Sequence, residues 1–339
     1  GLDLAASTIN GTLTATGGAS AGIVDSGNVA VAGNVTLTTD AGNGVINMGT
    51  LQQSAGDLIL VTNGTGAATV VNNAGIDFGT SNVGGALSAT ASAGNITQNG
   101  GAITVAGTSS FILGANSANV VLDHASNAFS GAVTLLAGAG GSQAFGNVTF
   151  VDDSAVKIDA NADAAGDLYL NAGTDGAVGG NLAVTATTGN ITQGVAVAVT
   201  GTSAFTTSAS DATITLGTTT NALGGTVAFT TAGTAGNVVI DNGTTGLDLA
   251  ASTINGTLTA TGGATAGIVD SGNVAVAGNV TLTTDAGNGV INMGTLQQSA
   301  GDLILVTNGN GAATVVNNAA IDFGTSNVGG ALDVTASAG

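Results

Sequence analysis

GNVTLTTDAGNGVINMG, Gly33 to Gly49, decides the fold. Val35 and Leu37 alternate with Thr36 and Thr38, the period of two that puts apolar residues on one side of a β-strand and hydroxyls on the other. The run ends in Ala-Gly-Asn-Gly, a pair of punctuators that supply the positive φ angles a sharp corner needs. The same alternation recurs outward from this stretch. Val148 and Phe150 flank Thr149, Val156 and Ile158 flank Lys157, and Leu168 and Leu170 flank Tyr169. Val227 and Phe229 flank Ala228, and Leu247 and Leu249 flank Asp248. In each run the charged or bulky polar member falls on the outer phase.

Repetition turns strands into an architecture. Residues 1–94 return as residues 246–339, with differences only at Ser20/Thr265, Thr65/Asn310, Gly75/Ala320, Ser88/Asp333 and Ala89/Val334. Residues 1–245 are thus read as one complete long repeat and 246–339 as the start of the next. A parent with many tandem units is the expectation, of which this chain is a window. A weaker repeat lies inside. Gly84–Gln98 matches Gly179–Gln193, Thr108–Phe111 matches Thr202–Phe205, and Asn127–Gly131 matches Asn221–Gly225. Finer still, strand-like runs start near Thr12, Val35, Leu58, Leu87, Phe111 and Val133. A basic period of roughly 20–24 residues is the coil length of a β-solenoid.

Composition agrees. Gly supplies 58 of 339 residues and proline is absent. In a stacked coil each strand is hydrogen-bonded above and below, so almost every strand N–H is needed, and proline has none to give. Glu is missing and Lys, Arg and Gln are scarce, which disfavours helices. At 43% hydrophobic the chain can bury a core and is not disordered. The expected fold is all-β: a single-stranded parallel β-helix of roughly 15 coils, with small aliphatic residues and most of the eight Phe inside.

Charge removes several classes of partner. All 20 acidic residues are Asp, the basic side chains are Lys157 and His124, and the net charge is −19. No cluster of Lys or Arg can neutralise phosphates, so nucleic acid and anionic membrane surfaces are not expected partners. No apolar run approaches a bilayer span, so membrane insertion is not expected. The lack of cysteine fits secreted and cytosolic proteins alike.

GALSATASAGNITQNGGAITVAGTSSF (Gly85–Phe111), GNLAVTATTGNITQ (Gly180–Gln193) and the Gly33–Gly49 stretch resemble the repeat regions of filamentous-haemagglutinin-like bacterial exoproteins. That resemblance covers the whole chain through repeat texture, not through a site motif. It implies a right-handed helix, secretion to the cell surface, and adhesion as part of a giant surface protein or biofilm matrix.

No residue pattern points to catalysis. A His-based triad would have to be built on His124, which follows Asp123 where a corner is expected. A carbohydrate-active β-helix enzyme would need carboxylates clustered with basic residues, and one lysine does not supply them. The expectation is no enzyme and no cofactor, with calcium as the one candidate ion. Asp152, Asp153, Asp159, Asn161, Asp163 and Asp167 lie close together, and Asp159-x-Asn161-x-Asp163 opens like an oxygen-ligand calcium loop. It lacks the glycine and the final acid, and the simpler reading is a solvated acidic corner. Nine Asn-x-Thr triplets, at Asn10, Asn34, Asn63, Asn95, Asn147, Asn190, Asn242, Asn255 and Asn279, are glycan acceptor sequences that corner geometry also produces. Outward Thr could form an ice-binding ladder, but outer positions also carry Ala, Ser, Ile, Asp, Lys and Tyr. The function expected is an extracellular structural or adhesive fibre. Its partners would be copies of itself and a surface or glycan ligand. The alternatives are a calcium-dependent surface-layer or matrix protein and a passive spacer.

Overall fold

In a computed structural model of the chain the described residues are 1–18, 21–40, 42–138, 141, 143–263, 266–285 and 287–338. The Ser20/Thr265 difference between the copies lies outside them. The chain divides into two compact units, one of Gly1–Ser154 and Asp159–Gly179, the other of Ala155–Ile158 and Gly180–Gly339. Each is a β-solenoid of parallel strands, and no helix occurs among the described residues.

In the first unit one face is a ladder that begins with the short strands Leu2–Leu4 and Ser7–Ile9. Above them lie Ile23–Asp25 and Val29–Val31, then Ile46–Gln53, Ala68–Asn72, Leu87–Ala91, Ser109–Leu113, Val133–Ala137 and Asp167–Asn171. At about 4.8 Å per layer this ladder climbs roughly 35 Å. The opposite face runs Leu13–Gly17, Val35–Thr39 and Leu58–Val61, then the pairs Ile76–Phe78 with Ser81–Val83 and Ile96–Gln98 with Ile103–Val105. Each coil therefore sets one long strand against two short ones. The eight-residue strand Ile46–Gln53 lets these roles change faces, because it covers two short strands below and one longer strand above.

Register confirms the coil length and corrects one step of it. Leu13 pairs with Val35 and Val35 with Leu58, offsets of 22 and 23 residues. Leu58, however, does not lead to Leu87. It pairs with Phe78, while Leu87 lies on the other face over Ala68. The 29-residue interval between those two runs joined different faces, because alternation marks a strand without saying which face it lies on.

The second unit repeats the plan. One face stacks Ile191–Gln193, Ile214–Leu216, Val238–Asp241, Leu258–Gly262, Val280–Thr284 and Asp302–Val306. The other stacks Leu182–Ala186, Ser203–Ser210 and Thr226–Ala232. Above these come Leu247–Leu249 with Ser252–Ile254, then Ile268–Asp270 with Val274–Val276, Ile291–Gln298, Ala313–Asn317 and Leu332–Ala336.

The interior is as narrow as the sequence requires. Val35, Leu37, Val148, Ile158, Leu168, Val227, Phe229, Leu247 and Leu249 are buried, while Lys157 points outward. Seven Phe are fully buried. In the first unit Phe78, Phe111, Phe129 and Phe150 form a spine, with centroid spacings of 6.0, 5.9 and 5.5 Å. In the second, Phe205 stacks on Phe229 at 6.0 Å. Each such ring contributes its burial plus about 1 kcal/mol of ring–ring contact.

Candidate functional site

Polar chemistry concentrates at the corners, and much of it is buried. Inward positions where a strand turns carry Gln53, Asn72, Asn127, Asp152, Asn221, Asn242, Gln298 and Asn317, none more than 5% exposed. A corner exposes backbone N–H and C=O groups to the interior, and leaving one unpaired there costs about 1–3 kcal/mol. An amide side chain can accept from one such group and donate to another. In the first unit the Gln53 N–H donates to Asn72 Oδ1 at 2.8 Å, and Asn72 Nδ2 donates to Gln53 O at 3.0 Å and Gly75 O at 2.7 Å. Higher up, Gln98 and Asn127 exchange amide hydrogen bonds of 2.7 and 2.9 Å, and Asn127 Oδ1 also accepts from the Ile103 N–H at 2.9 Å. In the second unit Gln193 and Asn221 repeat that exchange at 2.8 and 2.9 Å. The signal for these pairs was present in the sequence, since Gln98 and Gln193 close one pair of matched segments of the weaker repeat and Asn127 and Asn221 open another. Alternation within the strand runs says nothing about the residues at or beside a strand's end, which is where these amides lie.

Asp152 departs from this pattern. Its Oδ1 accepts from the Phe129 N–H at 2.9 Å, as Asn242 Oδ1 accepts from Leu223 N–H at 2.8 Å. Asn242 also donates from Nδ2 to Leu223 O at 3.1 Å. An ionised Asp cannot. Oδ2 of Asp152 instead accepts from the Ser154 hydroxyl at 2.7 Å. Burial pushes its carboxyl above the ordinary value of 3.8, against the opposing pull of the Phe129 N–H and the Ser154 hydroxyl.

The acidic segment is therefore not one solvated corner. Asp152 and Asp167 are 2% exposed, whereas Asp153 and Asp163 face solvent. Of the calcium candidates, Asp167 Oδ2 accepts from the Ala164 N–H at 2.8 Å and the Asp163 N–H at 3.3 Å. Asp159 Oδ1 accepts from the Ala160 N–H at 2.8 Å, and Asn161 Nδ2 donates to Asp163 Oδ2 at 3.0 Å. These side chains bracket their own turns. No group of three or more His or Asp side chains that could hold a metal ion occurs among the described residues. His124 does sit at a corner, where its Nδ1 accepts from the Ser126 N–H at 3.1 Å.

Most Asn-x-Thr asparagines are corner parts as well. Oδ1 of Asn34, Asn95, Asn190 and Asn279 accepts an N–H of the next coil, from Asp57, Asn119, Thr213 and Asp302 at 2.8–3.2 Å. Asn242 is fully buried, and Nδ2 of Asn63 and Asn255 donates to Asp40 O and Thr231 O. At Asn242 both Nδ2 hydrogens are used, on Leu223 O and Gly246 O, so that nitrogen has none left to exchange for a glycan.

Three segments, residues 65–136, 140–230 and 235–307, match the family described as Repeats of unknown function (DUF5649). The chain belongs to this family. The DUF5649 segments begin 95 residues apart in their second step, the spacing of the weaker internal repeat. The third DUF5649 segment runs across residue 245, so the long copied block is not the family's unit. No curated protein and no solved structure matched the chain.

Proposed function

We propose that this chain is the repetitive shaft of a secreted bacterial surface fibre of the filamentous-haemagglutinin-like kind. In this reading it is no enzyme and carries no cofactor. It holds cells to a surface, a matrix or one another, and its partners are other copies of itself and a surface ligand. One observation carries the reading. Each coil spends its backbone on the coil above and below and its corner amides on the same neighbours, so a further coil adds length without any new kind of contact. The outside carries Asp, Thr, Ser and Asn, with one Lys in 339 residues, which suits a protease-exposed, hydrated exterior.

Display of residues 1–339 on a non-adherent bacterium tests it. Retention under flow on glass, on a cell layer or on cells bearing the same protein is the expected result. Retention no better than that of undecorated cells on all three surfaces overturns adhesion.

A further inference from the structure

Along one corner of the first unit runs a trough of about 460 Å³, lined by Thr8, Asn10, Ala30, Ala32, Gln52 and Asn73 among others. Thr8, Ala30 and Gln52 are stacked neighbours in successive coils, so the trough follows the stacking direction. The small Ala30 and Ala32 line it beside larger polar side chains. It shares Ser54 and Ala74 with a second trough of about 330 Å³ that reaches Asp77, Asn95 and Thr97. The first trough recurs in the second unit on Thr253, Asn255, Ala275, Ala277, Gln297 and Asn318, at about 270 Å³. There it is smaller, and Asn255 turns its amide onto Thr231 O at 2.7 Å.

Two features of this surface bear on what it could hold. The interior amides of Gln53, Asn72, Asn127, Asn221, Asn242, Gln298 and Asn317 are turned onto the backbone or onto one another, whereas those of Gln52, Asn73, Gln297 and Asn318 are half-exposed or exposed, make no hydrogen bond to protein among the described residues and face solvent. Moreover, no charged residue lines either copy of the trough, in a chain of net charge −19. Free amides and hydroxyls in an uncharged channel match a ligand that is rich in hydroxyls and itself neutral. An extended pyranose chain repeats at close to the coil-to-coil rise, so successive sugars can meet successive coils. An anionic glycan would be repelled by the surrounding carboxylates.

We propose that these troughs bind an extended, neutral polysaccharide strand along the solenoid, with Gln52 and Asn73 in the first unit and Gln297 and Asn318 in the second as its principal contacts. The proposal rests on the adhesive reading and names its ligand class. Without aromatic platforms each trough binds weakly.

Affinity electrophoresis through gels containing hydroxyethylcellulose, galactomannan or dextran tests this. At least one gel should retard the chain, and polygalacturonate should not. Gln52→Ala/Asn73→Ala/Gln297→Ala/Asn318→Ala should raise the apparent Kd at least tenfold with an unchanged melting curve. Asn82→Ala, on the opposite face, should change neither. No retardation in any neutral gel, or equal retardation of the quadruple variant, overturns the site. A wild type that binds polysaccharide through the trough but retains no cells keeps the site and overturns the adhesive reading. One that retains cells without binding any neutral polysaccharide does the reverse.

Discussion

Asp152 shows what a single corner position demands. Burial raises its carboxyl, so the folded chain binds a proton more readily than the unfolded one. The ionised form therefore costs stability above the raised folded value, and that cost fades as pH falls towards 3.8. Chemical denaturation of the wild type should show a contribution from this group that favours folding as pH drops through the raised value. Asp152→Asn restores the donor that Asn242 uses at its own corner. The expected gain is about 1 kcal/mol at pH 7, vanishing at acid pH. An equal gain at both pH values would contradict the account. Asn72→Ala should cost about 1–3 kcal/mol, because it strands the Gln53 N–H and the carbonyls of Gln53 and Gly75 inside. Urea melts of the variant would measure it. None of this was read from the sequence, where alternation placed polar residues outside. The inward corner positions break the alternation because the backbone itself needs partners there.

Among elements, the strand Val35–Thr39 pairs in full with Leu13–Gly17 below and through its first four residues with Leu58–Val61 above. Thr36→Pro removes one ladder bond and should cost about 3 kcal/mol or more, although Thr36 faces outward. Amide exchange should then speed up in the two adjoining strands first. A tight corner makes the complementary case. Gly56 lies at φ +81°, and a Cβ there would run into Oδ1 of Asn34, the atom that holds the Asp57 N–H. Gly56→Ala should destabilise by about 1–2 kcal/mol in a thermal melt. At this scale the sequence was informative. Strand phase was legible at Val35–Thr39 and Leu247–Leu249, since burial of one side fixes it. Face was not, as the step from Leu58 to Phe78 instead of Leu87 shows.

For the whole molecule, the modular bonding pattern predicts tolerance of coil-sized changes. Deleting residues 87–108, one coil by the pairing of Leu87 with Ser109, leaves Ser109–Leu113 to stack on Ala68–Asn72. The shortened chain should keep its β-type circular dichroism and melt within a few degrees of the parent. Removing only residues 87–97 breaks register and should lower the melting temperature far more. The sequence by itself determined an all-β repeat of roughly 20–24 residues and favoured parallel coils. Repeated alternation and glycine corners are shared with antiparallel hairpins, but the period of about 22 residues and the absence of proline favour strands bonded to a coil on both sides. Only the tertiary structure decided which face each strand occupies, which polar groups turn inward at the corners, and where small residues leave a trough. Those outcomes depend on what lies in the neighbouring coil, some twenty residues away, and no local pattern records it.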